Sequence, residues 1–424
     1  MDNTEYKPRM IDPMVKEYLE TFGALCIEGP KWCGKTWTAQ HHAASSVSLG
    51  DPAGGFLNRQ LAKEDPNLIL DGAQPRLIDE WQEEPPIWDA VRFRVDAQRG
   101  RGQYILTGSA TPPHKGVLHG GTGRFGKLRM RPMSLFESGD SSGAVSLQEL
   151  CEGRMASAMT GEVALKTLVS LIVRGGWPGS LGLSERQARR VPAEYLKIVL
   201  EDDIYRLDGV RRDVAKMRLL LRSLARNEST MVTNKALVND IKAVDDADID
   251  RETVAAYLDV FDRLFLTENQ PPYAENLRSS VRVHQTAKRH LADPSLACAL
   301  LQATPESLLR DLNTLGFLFE SLCVRDLRVY ADTFGAKVYH YRDYSNREAD
   351  AVLELEDGRW CAIEIKLGAG QIEAAAQSLL RLQKALSDAG GRPPHVLAVI
   401  CGMSRAAYRR PDGVFVVPIT ALRN

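Results

Sequence analysis

Apolar positions change their period several times along this chain, and each change marks a different element. Ala24-Leu25-Cys26-Ile27 is a short unbroken apolar run, which predicts a strand buried on both faces, as in a parallel sheet. Asn67-Leu68-Ile69-Leu70-Asp71, Arg76-Leu77-Ile78-Asp79 and Gln103-Tyr104-Ile105-Leu106-Thr107-Gly108-Ser109 read as further runs of this kind, and Trp37-Thr38-Ala39-Gln40 continues as a helix. From about Leu181 to Leu301 the period is helical. Within it, residues 233–270 read as helix, turn, helix, strand, with Asp250 as the N-cap of the second helix and Leu264-Phe265-Leu266-Thr267 as the strand. Residues 346–366 read as two alternating strands around a turn.

That turn fixes a register. A two-residue Asp357-Gly358 loop would send Asp350 and Glu364 to opposite faces and mismatch the apolar residues. A three-residue Glu356-Asp357-Gly358 loop, with Gly358 left-handed, pairs Leu355 with Arg359 and Asp350 with Glu364. It also gathers Ala351, Leu353 and Leu355 with Cys361, Ile363 and Ile365 on one buried face. Asp350, Glu364 and Lys366 then share the other face, the arrangement of a metal-dependent nuclease: two carboxylates on Mg²⁺ and a lysine beside the water or scissile phosphate.

The first strand leads into Gly29-Pro30-Lys31-Trp32-Cys33-Gly34-Lys35-Thr36, a complete G-x-x-x-x-G-K-T phosphate loop in strand-loop-helix context, followed by Trp37. Its glycines let the backbone wrap phosphates, Lys35 neutralises their charge, and the Thr36 hydroxyl is a ligand for Mg²⁺. The run ending in Asp79-Glu80 reads as the acidic partner: Asp79 holds Mg²⁺ and Glu80 orients the attacking water. Asp71 competes for that role but has no glutamate beside it. Thr107 and Ser109, at the tip of the run 103–109, are placed to sense the γ-phosphate. The order is that of an additional-strand P-loop ATPase.

Bulk properties narrow the partners. The 424 residues exceed one core and predict several domains, drawn here at 1–175, 176–302 and 303–424. A net charge of −1 excludes a global field toward nucleic acid or anionic lipid, so any polyanion contact is local. Arg218, Arg222 and Arg226 share one helical face, and Arg211 and Arg212 lie nearby; such a stripe either tracks phosphates or is a solvated face. Asp245, Asp246, Asp248 and Asp250 precede the second helix of the 233–270 segment and would repel a phosphate backbone, so that module reads first as a packing or assembly element. Seven scattered cysteines without a C-x-x-C pair predict reduced thiols, and the absence of signal or membrane-length apolar segments predicts a soluble cytoplasmic chain.

Tyr6-Lys7-Pro8-Arg9, the loop at 29–36, Leu77-Ile78-Asp79-Glu80, Leu106-Thr107-Gly108-Ser109, Gly123-Arg124-Phe125 with Pro132-Met133-Ser134-Leu135-Phe136-Glu137, and Gly175-Gly176-Trp177-Pro178 form a spaced set. On it the chain resembles, over essentially its whole length, the prokaryotic AAA+ ATPases whose C-terminal half is an uncharacterised domain related to PD-(D/E)xK nucleases. The resemblance implies an AAA+ core assembling into a ring or spiral, with an arginine reaching the neighbouring subunit's γ-phosphate. Arg124 is the candidate and Arg131 the next. It implies that Gly176-Trp177-Pro178 is a lid element, with Pro178 at the nucleotide, and that residues 233–270 are a winged helix. It adds Glu320 to Asp350 and Glu364 as a third metal ligand, and Gln377 as an accessory residue.

The expectation is thus an α/β chain with an AAA+ core, a helical and winged-helix connector and a restriction-endonuclease-like domain. It would use ATP and Mg²⁺, work as a homo-oligomer away from membranes, and act on DNA. The alternatives are an ATP-gated switch with a silent nuclease-like domain, a protein-remodelling ATPase, and an RNA-processing enzyme.

Overall fold

The computed structural model describes residues 6–110, 120–243, 249–274 and 285–424. Residues 116–119 of the glycine-rich stretch, and Asp245, Asp246 and Asp248, lie outside the described residues. The chain divides into two compact units: residues 1–132 with 201–212 and 259–266, and residues 133–200 with 213–258 and 267–424.

The first unit is built on five parallel strands, β1 (Ala24–Glu28), β2 (Ser45–Ser48), β3 (Arg76–Asp79), β4 (Tyr104–Gly108) and β5 (Phe125–Arg129), in the order β2-β3-β4-β1-β5. The central strands β1 and β4 are buried almost throughout, as their unbroken apolar runs require. Inserting β4 between β1 and β3 aligns Glu28 with Gly108 and Asp79 with Thr107. The phosphate loop, the acidic pair and the polar tip thereby meet at the carboxyl edge of the sheet, where open α/β sheets place ligands. Residues 67–70 form a short helix, not a strand, and the Asp71 beyond it pairs with Arg94 at 2.9 Å. Asp71 is therefore a surface ion pair rather than a partner of the loop.

The second unit holds a seven-stranded sheet: β7 (Ala158–Met159), β8 (Lys337–Arg342), β9 (Glu348–Glu354), β10 (Trp360–Lys366), β11 (Val396–Cys401), β12 (Ala406–Arg409) and β13 (Phe415–Pro418), in the order β7-β12-β13-β11-β10-β9-β8. β8, β9 and β10 are antiparallel neighbours, whereas β11 runs parallel to β10 after the helix Ile372–Asp388. The helix Leu312–Asp332 precedes β8, giving the order helix, three strands, helix, strand. The hairpin register is the three-residue one: Ile363 faces Ala351 and Trp360 faces Glu354, while Gly358 takes φ +80° in the left-handed region that favours glycine.

The expected boundary at residue 175 is not where the chain divides. β6 (Val145–Ser146) pairs with β14 (Leu422–Arg423), and β7 pairs with β12, so residues 133–200 belong to the unit that contains the C-terminal strands. A buried charge cluster pins the same unit. Arg325 pairs with Asp293 at 2.8 Å and Asp326 at 2.7 Å, while Asp293 accepts the Gly176 N–H and Asp326 the Leu135 N–H. Burial opposes the Arg325 charge, but the two aspartates outweigh it and hold the guanidinium protonated.

Also in this unit, the helices Val214–Arg226 and Asn234–Lys242 pack together, and antiparallel bridges join Thr230 to Arg289, Thr267 to Leu291 and Gln270 to Lys288. Among the described residues no helix is long and apolar enough to cross a membrane.

Candidate active site

In the first unit the phosphate loop joins β1 to the helix Lys35–His42, with Gly34 left-handed at its cap. Gly29 sits at φ +156°, and a Cβ there would lie 2.1 Å from the Met130 carbonyl oxygen. No other residue fits that approach. We expect Gly29→Ala to cost about 1–3 kcal/mol of local packing and to weaken ATP affinity about tenfold or more, read by nucleotide titration; unchanged affinity would show that the loop tolerates the displacement.

Arg9, one of the residues of the N-terminal motif, is buried and holds the loop from behind. Its guanidinium donates to the Cys33 carbonyl at 2.7 Å and to the Arg131 carbonyl at 2.9 Å. The Cys33 thiol is buried and faces the Met130 carbonyl, and the Trp32 and Trp37 indoles are exposed. Pro30 contributes its carbonyl, which, with that of Gly29, accepts the Lys35 ammonium at 2.8 and 2.9 Å. Lys35 is thus fixed across the loop, where a phosphate charge would meet it.

The hydroxyl and carboxylate residues converge beside it. Thr36 donates to the Asp79 carboxylate at 2.9 Å, Thr107 to the same oxygen at 2.6 Å, and Ser48 to the other at 3.3 Å. Glu80 follows in the left-handed conformation (φ 57°), turning its side chain away from Asp79. Its carboxylate accepts from Ser109 at 3.1 Å and from Gln82, and its N–H donates to Thr107. Thr36 and Asp79 offer adjacent hard oxygens, a donor set that suits Mg²⁺. Sequence reading missed Gln82, whose role depends on the left-handed turn at Glu80. It also missed Asp203, which pairs with Lys31 at 2.5 Å. A cavity of about 760 Å³ opens here, with Lys31, Glu80, Ser109 and Asp203 on its wall.

Other expected residues stand elsewhere. Arg124 precedes β5, at the opposite end of its strand from the loop, and its guanidinium pairs with Asp96 at 2.8 Å. Gly176, Trp177 and Pro178 lie in the second unit, where the Trp177 indole is fully buried and donates to Ser295 at 2.9 Å.

The residues of the expected nuclease site do come together, with one addition. Lys366 pairs with Glu364 at 2.6 Å and Asp350 at 3.0 Å, and the Ile365 N–H donates to Asp350 at 2.8 Å. Lys288, on the bridged ribbon, pairs with Glu320 at 2.7 Å and approaches Asp350 at 3.5 Å. Burial and the neighbouring Asp350 push the Glu320 carboxyl up to about 8 and that of Glu364 to about 7. Burial acts upward on Asp350 too, but Lys288 and Lys366 outweigh it and hold it below the usual carboxylate range. Among the described residues no three acidic, histidine or cysteine side chains are grouped to hold a metal ion. The expected ligand set Glu320, Asp350 and Glu364 is corrected accordingly: the Lys288 ammonium stands between Glu320 and Asp350. Gln377 is exposed and bonds Glu373, one turn earlier on its helix.

Of the expected basic group, Arg226 pairs with Asp240 and Arg212 with Asp208, while Arg211, Arg218 and Arg222 are exposed. The helix Arg251–Arg263 exposes Glu252, Asp259 and Asp262.

A family model described as an AAA domain matches residues 21–138. Residues 21–138 are a P-loop ATPase domain. The chain is accordingly an ATPase, with the loop, the acidic pair and the polar tip all inside the matched segment. Two further models, each described as a domain of unknown function (DUF8612 and DUF4143), match residues 165–307 and 315–422 of the ATPase. Uncharacterized proteins of Mycobacterium bovis and of Mycobacterium tuberculosis are each 24% identical to it over 345 residues, 81% of this chain and 70% of theirs. Among solved structures, the Walker-type ATPase of Pyrococcus abyssi superposes with a TM-score of 0.41 at 14% identity, covering 70% of this chain and 97% of its own. The replication initiator DnaA bound to AMPPCP and single-stranded DNA gives 0.26 at 13%, covering 60% of this chain and 86% of its own. Superpositions this loose carry no functional argument.

Proposed function

We propose that the chain is a Mg²⁺-dependent AAA+ ATPase that works as a cytoplasmic homo-oligomer and couples ATP hydrolysis to binding and remodelling of DNA. The observation that carries the ATPase mechanism is the convergence of Lys35, Thr36, Asp79, Glu80, Thr107 and Ser109 on one sheet edge. Loop N–H groups and Lys35 take the phosphate charge of ATP. Thr36 and Asp79 are the residues that would hold Mg²⁺, which when bound neutralises charge on the phosphate oxygens. Glu80 orients and polarises the attacking water; Ser109 and Gln82 fix its carboxylate. Thr107 ties Asp79 to the Glu80 backbone, so that displacement of either is felt by the other. Arg124, or else Arg131, is the arginine given to a neighbouring subunit, and Pro178 belongs to the lid.

The DNA reading is supported by the second unit. Its order of helix, three strands, helix and strand, with Asp350, Glu364 and Lys366 together on β9 and β10, matches what a PD-(D/E)xK-type fold requires, and its packed helices beside a bridged ribbon suit a winged helix. Arg218 and Arg222 supply an exposed positive strip. A second reading, remodelling of a protein partner, is favoured by the helix Arg251–Arg263, whose exposed carboxylates would repel a phosphate backbone in a major groove.

The two separate in one assay. Steady-state ATPase rates measured with duplex, single-stranded and branched DNA, RNA and a denatured protein should rise with DNA alone, and the rise should shrink with added salt. Stimulation by protein alone would replace the DNA reading with the second one.

A further inference from the structure

The acidic cluster of the second unit carries a cation of its own. Glu320, Asp350 and Glu364 are buried, and so is Lys288, whose ammonium lies 2.7 Å from Glu320 and 3.5 Å from Asp350. Lys366 closes the other side through Asp350 and Glu364. Each carboxylate therefore has an ammonium partner, and Asp350 meets Lys288 through one oxygen and Lys366 with the Ile365 N–H through the other.

Lys288 is also held in place along its backbone. It exchanges both N–H···O bonds with Gln270, each at 2.9 Å. The Gln270 amide in turn donates to the Tyr339 and Asp350 carbonyls at 2.8 and 3.1 Å, and its oxygen faces the His290 ring at 3.1 Å. The ribbon carrying Lys288 is thus hydrogen-bonded to the strands β8 and β9 that carry the cluster. Mg²⁺ asks for near-octahedral oxygen ligation at about 2.0–2.1 Å. A fixed ammonium between two of the three carboxylates leaves no such shell.

We infer that this cluster takes no divalent cation, because Lys288 is its built-in counter-ion, and that the second unit's nuclease-like face is closed to metal-dependent chemistry. This disagrees with the metal set that such a fold implies. It does not rest on DNA being the partner, since metal binding reads the cluster alone.

The test is a Mn²⁺ titration of the full chain, without nucleotide, followed by the electron paramagnetic resonance signal of free Mn²⁺. Wild type, Asp350→Asn and Glu364→Gln should bind equal numbers of ions. A site present in wild type and lost in either folded variant would overturn the inference. Lys288→Met, with Lys288→Gln as a second form and circular dichroism as the check on folding, should gain one site, and adding Asp350→Asn should remove it. A folded Lys288 variant that gains none would show that the ammonium does not stand in a cation position. Incubation with linear and branched DNA in Mn²⁺ should yield no Asp350-dependent product; cleavage abolished by Asp350→Asn would also overturn the inference, whatever the outcome of the ATPase assay.

Discussion

Glu80→Gln leaves ATP bound and lowers turnover about 10²–10⁴-fold, the range that a positioned acid–base group supplies. Binding survives because the groups that meet the phosphates, Lys35 and the loop backbone, do not depend on the Glu80 charge. Gln can still bond Ser109, so the geometry at the sheet edge persists while the negative charge that polarises water is gone. The measurements are nucleotide affinity by fluorescence titration and phosphate release under saturating ATP. Full turnover by this variant would remove Glu80 from the reaction and with it the role given to Asp79-Glu80. A loss of affinity as large as the loss of turnover would instead mean that Glu80 supports the loop.

The second large effect concerns stability. Arg325→Met strips the guanidinium from Asp293 and Asp326, which are fully buried and would be left as uncompensated carboxylates; the expected cost is about 3–5 kcal/mol. Met preserves much of the volume, so packing loss is a minor part of this figure. Asp293 and Asp326 still accept the Gly176 and Leu135 N–H groups, which is too little to satisfy two charges. Urea unfolding followed by circular dichroism measures the change as a lower midpoint. A shift below about 1 kcal/mol would mean that the aspartates take up protons or find other donors at small cost.

The ATPase edge was legible because its chemistry is local. One strand and one turn fix eight consecutive loop residues, and two adjacent carboxylates at a strand end leave little freedom in where they point. The hairpin register was legible for another reason: apolar matching and charge placement both select the Glu356-Asp357-Gly358 turn, and the pairing of Ile363 with Ala351 follows. Lys288 was not legible. Nothing in its neighbourhood marks it, and its partners Glu320 and Asp350 are brought near only by the ribbon's pairing with Gln270. The same holds for Lys31 with Asp203, which are 172 residues apart. The exposure of Gln377 follows from helix phase, set by the buried Ala375, Ala376 and Leu379, which turns it to solvent beside Glu373. The unit boundary failed because β6 and β7 are two residues long each, too short to show any period.

Those two short strands set an order of events during synthesis. The five strands of the first sheet all lie within residues 24–129, and can pair as soon as that stretch has emerged. β6 and β7 must wait: β6 meets β14 only when Leu422 has been made, and β7 meets β12 only when Ala406 has been made. Through that interval the nascent chain carries a paired parallel sheet followed by strands without neighbours, the kind of exposed edge that a growing chain must keep from pairing wrongly.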